Sequence, residues 1–234
     1  AKPIIIEDVL GRQQRIHETE SLKNVSNKII LVTGAGGSIG SELCKQISTL
    51  NPKNLILVEQ NEFNLYKISQ KINTRSLPVL GDIRDSFKME KLINSQKPDI
   101  IFHTAALKHI TFVESDPIEA LKTNFLATVK IINLCEKYKV PEMIFISTDK
   151  AVNPTNIMGA TKRLSEKYIQ MVGKSYKTNY KIVRFGNVLG STGSVVPLFE
   201  KQINLGGPIT ITHPEVSRYF MTITEAAQLV IQAG

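Results

Sequence analysis

The sequence predicts an α/β fold: a doubly wound parallel sheet with helices on both faces. Three observations lead there. Four short runs are almost wholly apolar, helical patterns alternate with them from residue 28 onward, and a glycine-rich turn follows the first run directly. Strands covered on both faces need no polar alternation, so a parallel sheet shows itself as continuous apolar stretches.

The first run, IILV at 29–32, feeds the glycine turn and a helical pattern over 41–50. LILV at 55–58 is the second strand, followed by helical spacing over 62–72, and LPVL at 77–80 is a weaker third, followed by a helix over 86–95. IIF at 100–102 and MIFI at 143–146 are the fourth and fifth, separated by a helix over 124–138. A helix over 158–173 then leads to KIVRF at 181–185, the sixth. Strand, helix and strand in succession imply right-handed crossovers. After Gly186 the alternation degrades into turn-rich sequence, and the chain ends in the helix-like TEAAQLVIQAG with no further strand. Three parts are therefore expected: a leader over 1–27, a Rossmann-type domain over 28–186, and a small, incomplete substrate lobe over 187–234.

With 42% hydrophobic and 21% charged residues among 234, the chain has the balance of an ordinary globular protein, which excludes collagen-like, disordered and disulfide-scaffold classes. The charge-free stretch 185–199 contains three glycines and a proline, so it is no membrane-spanning helix of about 20 apolar residues. No secretory signal is visible in the opening residues, and the missing initiator methionine reads as a cut piece. Cys44 and Cys135 match no metal spacing; they are expected as reduced core thiols, which fits the cytoplasm. A net charge of +8 raises nucleic acid, anionic lipid or phosphorylated small molecules as partners. The best nucleic-acid candidate is KSYKTNYK, where Lys174, Lys177 and Lys181 alternate with Tyr176 and Tyr180; the competing reading is a solvated helix end entering a strand, and no nucleic-acid partner is expected.

Directly after the first strand comes TGAGGSIG, residues 33–40. Gly34, Gly37 and Gly40 let the backbone turn sharply, approach a pyrophosphate and pack helix on strand, while the helix N-terminus offers N–H groups to the anion. Glu59, at the end of the second strand, is placed to accept hydrogen bonds from an adenosine ribose and would repel a 2′-phosphate, so NAD is favoured over NADP. Asp82, in GDIRD, is either a partner for the adenine amine, with Arg84 nearby, or a helix N-cap.

The densest group of reactive side chains follows the fifth strand: Thr148, Asp149 and Lys150, then Met158 and Lys162. Ligands in open α/β sheets bind beyond the carboxyl ends of strands, so this stretch should face the nicotinamide end of the cofactor. TGAGGSIGSEL, DIR, HTAALKH, STDKAVNPTNIMGATKR and RFGNVLGSTGSVVPLF together resemble the nucleotide-sugar 4,6-dehydratases of the extended short-chain dehydrogenase/reductase superfamily. The likeness is to the polysaccharide-biosynthesis group acting on UDP-N-acetylglucosamine, particularly its membrane-tethered, C5-retaining branch. EDVLGRQQ also resembles the stretch joining the membrane-embedded part of the long forms to their soluble domain, which implies a parent anchored upstream of residue 1.

The resemblance implies oxidation of the sugar C4 hydroxyl by NAD, elimination of water across C5 and C6, and return of the hydride to C6. It assigns the C5 proton to Lys150 and the proton for the departing C6 hydroxyl to Asp149. The lysine must then be partly neutral, through burial or a neighbouring cation such as Lys108 or Lys162, and the aspartate needs a raised pKa. Thr148 offers a hydroxyl to the C4 oxygen, and Lys162, one helical turn after Met158, holds the nicotinamide ribose by resemblance. Ser38, Ile39, Ile83, Ala105, Ala106 and Asn124 complete the implied cofactor set. Lys108 and His109 approach cofactor or sugar, and Asn187 and Arg218 are placed by resemblance near the UDP moiety, although an exposed structural arginine is the competing reading.

The superfamily usually carries tyrosine where Met158 stands, and a thioether neither donates nor accepts a proton at neutral pH. Either Thr148 through water or Asp149 takes the C4 hydroxyl proton, or the chain is a non-catalytic relative. A UDP-sugar 4-epimerase is the sister reading; it needs no C5 base, which Asp149-Lys150 argues against. UDP-N-acetylglucosamine or a similar UDP-hexosamine is the expected substrate, no metal is expected, and the helices over 124–138 and 158–173 offer faces for a homo-oligomer.

Overall fold

The structure, a computed structural model, describes residues 10–14, 22, 24–191, 195–211, 213–215 and 217–234. Most of the leader expected over 1–27 and residues 192–194 of the family-like string lie outside them.

Six parallel strands form one sheet: β1 (Ile29–Thr33), β2 (Asn54–Glu59), β3 (Ser76–Leu80), β4 (Ile100–His103), β5 (Glu142–Thr148) and β6 (Asn179–Phe185), in the order β3-β2-β1-β4-β5-β6. The chain steps outward from β1 to β3, then crosses to the other side of β1, so the carboxyl ends of β1 and β4 flank the crevice where such sheets hold ligands. Alternate residues of each strand face opposite sides. Ile30, Val32, Phe102 and Ile144 enter one apolar cluster with Leu43 and Ile47, while Leu31, Ile101 and Phe145 enter a second with Ile93, Ile132 and Ile169. The continuous apolar runs therefore arise because both faces are core.

The helices are α1 (Ser38–Ser48), α2 (Glu62–Ser69), α3 (Ser86–Gln96), α4 (Ile110–Ser115), α5 (Pro117–Ala120), α6 (Ala127–Lys137), α7 (Ile157–Val172), α8 (Val195–Asn204) and α9 (Ile223–Ala233). Between α5 and α6 the chain makes one widened π turn over Leu121–Leu126, so Asn124 sits inside a longer helical run instead of beginning a helix. Two further strands, β7 (Asn187–Leu189) and β8 (Phe220–Thr222), pair in parallel where the sequence suggested none. Helix α9, assigned by sequence to the small lobe, packs on the main sheet: Ala227, Val230 and Ile231 lie in the same cluster as Leu43 and Ile47 of α1. Its N-terminus is a full capping box, Thr222 with Glu225, and Arg12 of the leader binds that same Glu225 at 2.6 and 3.1 Å.

In KSYKTNYK, Tyr176 and Tyr180 pack against the second cluster and Lys181 pairs with Glu142. The rings are thus turned inward, away from where stacked bases would lie. Cys44 and Cys135 are buried free thiols. Among the described residues no helix is long and apolar enough to cross a membrane, and no group of side chains could hold a metal.

Candidate functional site

A cleft of about 880 Å³ opens at the carboxyl ends of β1, β4 and β5, and a smaller one of about 180 Å³ adjoins it toward β2. The glycine turn forms their shared wall. Gly34 has φ +65°, a left-handed conformation costly for other residues, and a Cβ there would stand 2.8 Å from the Ala105 Cα. A Cβ on Gly40 would meet the Gly34 carbonyl oxygen at 2.1 Å. Helix α1 begins at Ser38 behind Gly37, an N-cap with no side chain to accept from the first turn, and no acidic residue lies in that turn. With no side-chain cap, the positive dipole end of this helix suits an anion, and Ser38, Ile39 and Gly40 lie on the cleft wall.

Glu59 is buried at the end of β2 and lines the smaller cavity with Ile83 and Ala105. Its two oxygens accept from the Gly36 and Asn61 amides, each at 3.0 Å. A carboxylate has roughly four acceptor sites, so two remain toward the cavity. Asp82 lines neither cavity. Its carboxylate takes the Arg84 amide and guanidinium, each at 2.8 Å, and Arg84 also reaches Glu119 at 2.6 Å. Burial pushes the Asp82 carboxyl up, but Arg84 outweighs it and holds the group below its ordinary range. The N-cap of α3 is Asp85 instead.

After β4 the chain passes between the cavities. Asn124, wholly buried, accepts the Leu107 amide at 2.8 Å and donates to the Leu107 carbonyl at 3.0 Å, fixing this loop from behind without lining a cavity. Ala106, Lys108 and His109 face the large cleft. The Lys108 amine is exposed at its mouth, yet surrounding protein lowers its pKa. His109 sits at the N-cap of α4, edge-on to Phe112.

The opposite wall carries Thr148, Lys150, Met158, Lys162, Asn187 and Arg218. Thr148 ends β5, and one 3₁₀ turn, Asp149–Ala151, swings Lys150 toward β7. Lys150 Nζ donates at 3.0 Å to both Asp149 Oδ1 and Asn187 Oδ1, while Thr148 Oγ1 donates to the same Asp149 oxygen at 2.9 Å. The chemistry read from sequence asks Asp149 for a raised pKa. The reverse holds: burial raises it, but the hydrogen bonds from Lys150 and Thr148 prevail, so the carboxylate stays ionised.

Lys162 is buried, donates to the Ile146 carbonyl at 2.8 Å and lies 4.4 Å from the Phe145 ring centre. Burial brings its pKa down to about 7, with Glu166 one turn away pulling the other way. Met158 packs with Val113 and Ala120 on the cleft side of α7. Arg218 is exposed at the mouth.

Residues 30–234 match the family of polysaccharide biosynthesis proteins. The chain belongs to that family. Within it, 45% identity over the whole chain relates it to the capsular polysaccharide biosynthesis protein CapD of Staphylococcus aureus, of which it spans 40%. A UDP-N-acetylglucosamine 4,6-dehydratase (inverting) of Campylobacter jejuni is 32% identical over 88% of this chain and 63% of its own length. The X-ray structure of Pen from Bacillus thuringiensis superposes with a TM-score of 0.84 at 35% identity, over 89% of this chain and 66% of that one. The sheet is that of the polysaccharide-biosynthesis group of extended short-chain dehydrogenase/reductases. The chain thus covers well under half of one curated relative and less than two thirds of the other.

Sequence reading missed part of the cleft. Ile110 and Phe112 of α4, and Asp116 just after that helix, line it, as do Phe185, Val188 and Phe220 around the β7–β8 pair. HTAALKHITFVES carried a signal in its placement after the fourth strand; β7 and β8, three residues each, carried almost none.

Proposed function

We propose that the domain dehydrates a UDP-N-acetylhexosamine, UDP-N-acetylglucosamine foremost, to the 4-keto-6-deoxy sugar nucleotide for surface glycan synthesis, with NAD as bound cofactor. One observation carries the reading: Thr148, Lys150 and Asn187 line the cleft whose other wall is the glycine turn, and Asp149, which does not itself line it, joins Thr148 and Lys150 in one hydrogen-bonded cluster. The relationship to the Campylobacter enzyme supports the substrate class.

The chain fits a dinucleotide. Cβ atoms at Gly34 and Gly40 would collide with backbone, the first turn of α1 is uncapped, and Glu59 keeps acceptor sites toward the adjoining cavity. Held there, NAD would supply an acceptor for the C4 hydride and its return to C6. Thr148 accepts the C4 hydroxyl proton on Oγ1 while its own proton passes along the existing hydrogen bond to Asp149 Oδ1. This explains how an aspartate that rests ionised becomes the acid: it is loaded in the first step and gives that proton to the departing C6 hydroxyl. Lys150, which pairs with Asp149 at rest and must first give up a proton, takes the C5 proton and restores it to C5 once C6 has received hydride. The net loss is one water, and Met158 needs no proton chemistry.

The test is incubation of the full-length protein with UDP-N-acetylglucosamine and NAD in D2O, followed by mass spectrometry. Loss of one water with deuterium at C5 supports dehydration; an isomer of unchanged mass supports epimerisation. Bound NAD with untouched substrate supports the non-catalytic reading that Met158 favours.

A further inference from the structure

Behind the cleft lies a set of buried polar groups to which the proposed chemistry gives no part. His103, at the end of β4, is wholly buried, as is Thr33 beside it on β1; Thr128 of α6 is 1% exposed. His103 Nδ1 lies 2.7 Å from Thr33 Oγ1, and Nε2 lies 3.0 Å from Thr128 Oγ1. The direction of each bond follows from its neighbours. Thr128 spends its hydroxyl proton on the Asn124 carbonyl at 2.7 Å, so its oxygen must accept from His103 Nε2–H. In the neutral ring Nδ1 is then the acceptor and takes the Thr33 hydroxyl proton. The Thr33 oxygen remains free to accept the Ala105 amide at 3.3 Å.

These bonds join those of Asn124 to Leu107 already described. The path runs from Ala105 N–H through Thr33, His103, Thr128 and Asn124 to Leu107, and the backbone from 105 to 107 closes it. We infer that His103 is a positioning residue, the central link of a closed hydrogen-bond circuit that holds both ends of the Ala105–Leu107 loop in the shape that receives the dinucleotide. The ligand in this statement rests on the NAD reading above. Burial and the nearby Lys162 charge push the imidazole down to about 3, which keeps it neutral in the one tautomer the circuit requires. The π turn has a function here too: Asn124 lies within it, its carbonyl accepting from Thr128 and Ser165 while its side chain grips Leu107.

Removing a middle link tests the circuit without touching the bonds of the loop itself. Thr128→Val is isosteric and leaves the Ala105–Thr33 and Leu107–Asn124 bonds their own atoms. Amide hydrogen exchange in the ligand-free protein should nevertheless quicken about tenfold at Ala105 and Leu107, the scale of one lost hydrogen bond, and Thr128→Ser should restore it. Thr33→Val should quicken Leu107, whose partner it does not touch. NAD affinity, by calorimetry below the melting range, should fall several-fold in both valine variants, and the double variant should lose little more than either single one, because a circuit is broken only once. Unchanged exchange at Ala105 in Thr128→Val, or full additivity of the two variants, overturns the circuit. Absence of NAD binding by the wild type overturns the NAD reading, with the exchange result still deciding the circuit.

Discussion

At the glycine-turn end the cleft is walled by backbone: Gly34 and Gly40 where no Cβ fits, the uncapped first turn of α1, and a buried Glu59 tied to two amides. At the β5 end it is walled by side chains, Thr148, Asn187 and a Lys150 that is 24% exposed, tied together through Asp149, which is 39% exposed and does not itself line the cleft. The first end is fixed by folding itself, since its geometry follows from strand and helix positions. The second consists of charges whose state depends on one another. Damage to the first should therefore appear as lost binding together with lost stability, and damage to the second as lost chemistry in a protein that folds and binds normally.

Lys150→Ala gives the largest contrast. Turnover of UDP-N-acetylglucosamine should fall by about 10³-fold, within the range for loss of a general base, while NAD affinity and melting temperature stay near wild type. Progress curves beside NAD titrations check this, and parallel losses of binding and turnover would erase the distinction between the two ends. Gly40→Val strikes the other end. With the Gly34 oxygen 2.1 Å from any Cβ, the helix must shift from the strand, costing about 1–3 kcal/mol of stability, with NAD binding lost in the fraction that still folds. Chemical denaturation and calorimetry should show both effects together.

That difference in material also governs how much could be read from sequence. Strands such as IILV and MIFI were visible because both of their faces are core, and the glycine turn because only glycine meets its steric demands. Lys150 and Asp149 were visible as residue types at a strand end, but the ionised state of Asp149 was not, since it depends on Thr148 and Lys150 converging on one oxygen. The π turn at Leu121–Leu126 was hidden because one extra residue per turn barely disturbs a 3.6-residue pattern, and with it the grip of Asn124 on Leu107. Strands β7 and β8 pair across a long turn-rich stretch and are too short to show periodicity. Helix α9 was recognised as a helix but assigned to the small lobe, because nothing local in TEAAQLVIQAG says which body its apolar face will meet.

Glu59→Gln sharpens the comparison more gently. The side chain keeps one oxygen for the Asn61 or Gly36 amide, but its NH₂ now faces the other donor, and an acceptor site toward the small cavity is lost. NAD affinity should drop about tenfold, close to 1.4 kcal/mol, with turnover at saturating NAD little changed. A fall in saturated turnover with intact affinity would move Glu59 to the other class.

The smallest effect belongs to Asp149→Asn read as stability. The folded-state pKa of Asp149 is depressed: burial raises it, but Lys150 and Thr148 lower it further. A depressed carboxyl contributes stability above its unfolded pKa and loses it as the pH falls through the folded value. Wild type should therefore exceed the variant at neutral pH, with the gap closing below about pH 4. Because Asp149 is more than a third exposed, the gap should stay under about 1 kcal/mol, and urea titrations across that range measure it. A gap of several kcal/mol would mean that the reacting charges also hold the fold, and the two ends of the cleft would then be built on the same principle.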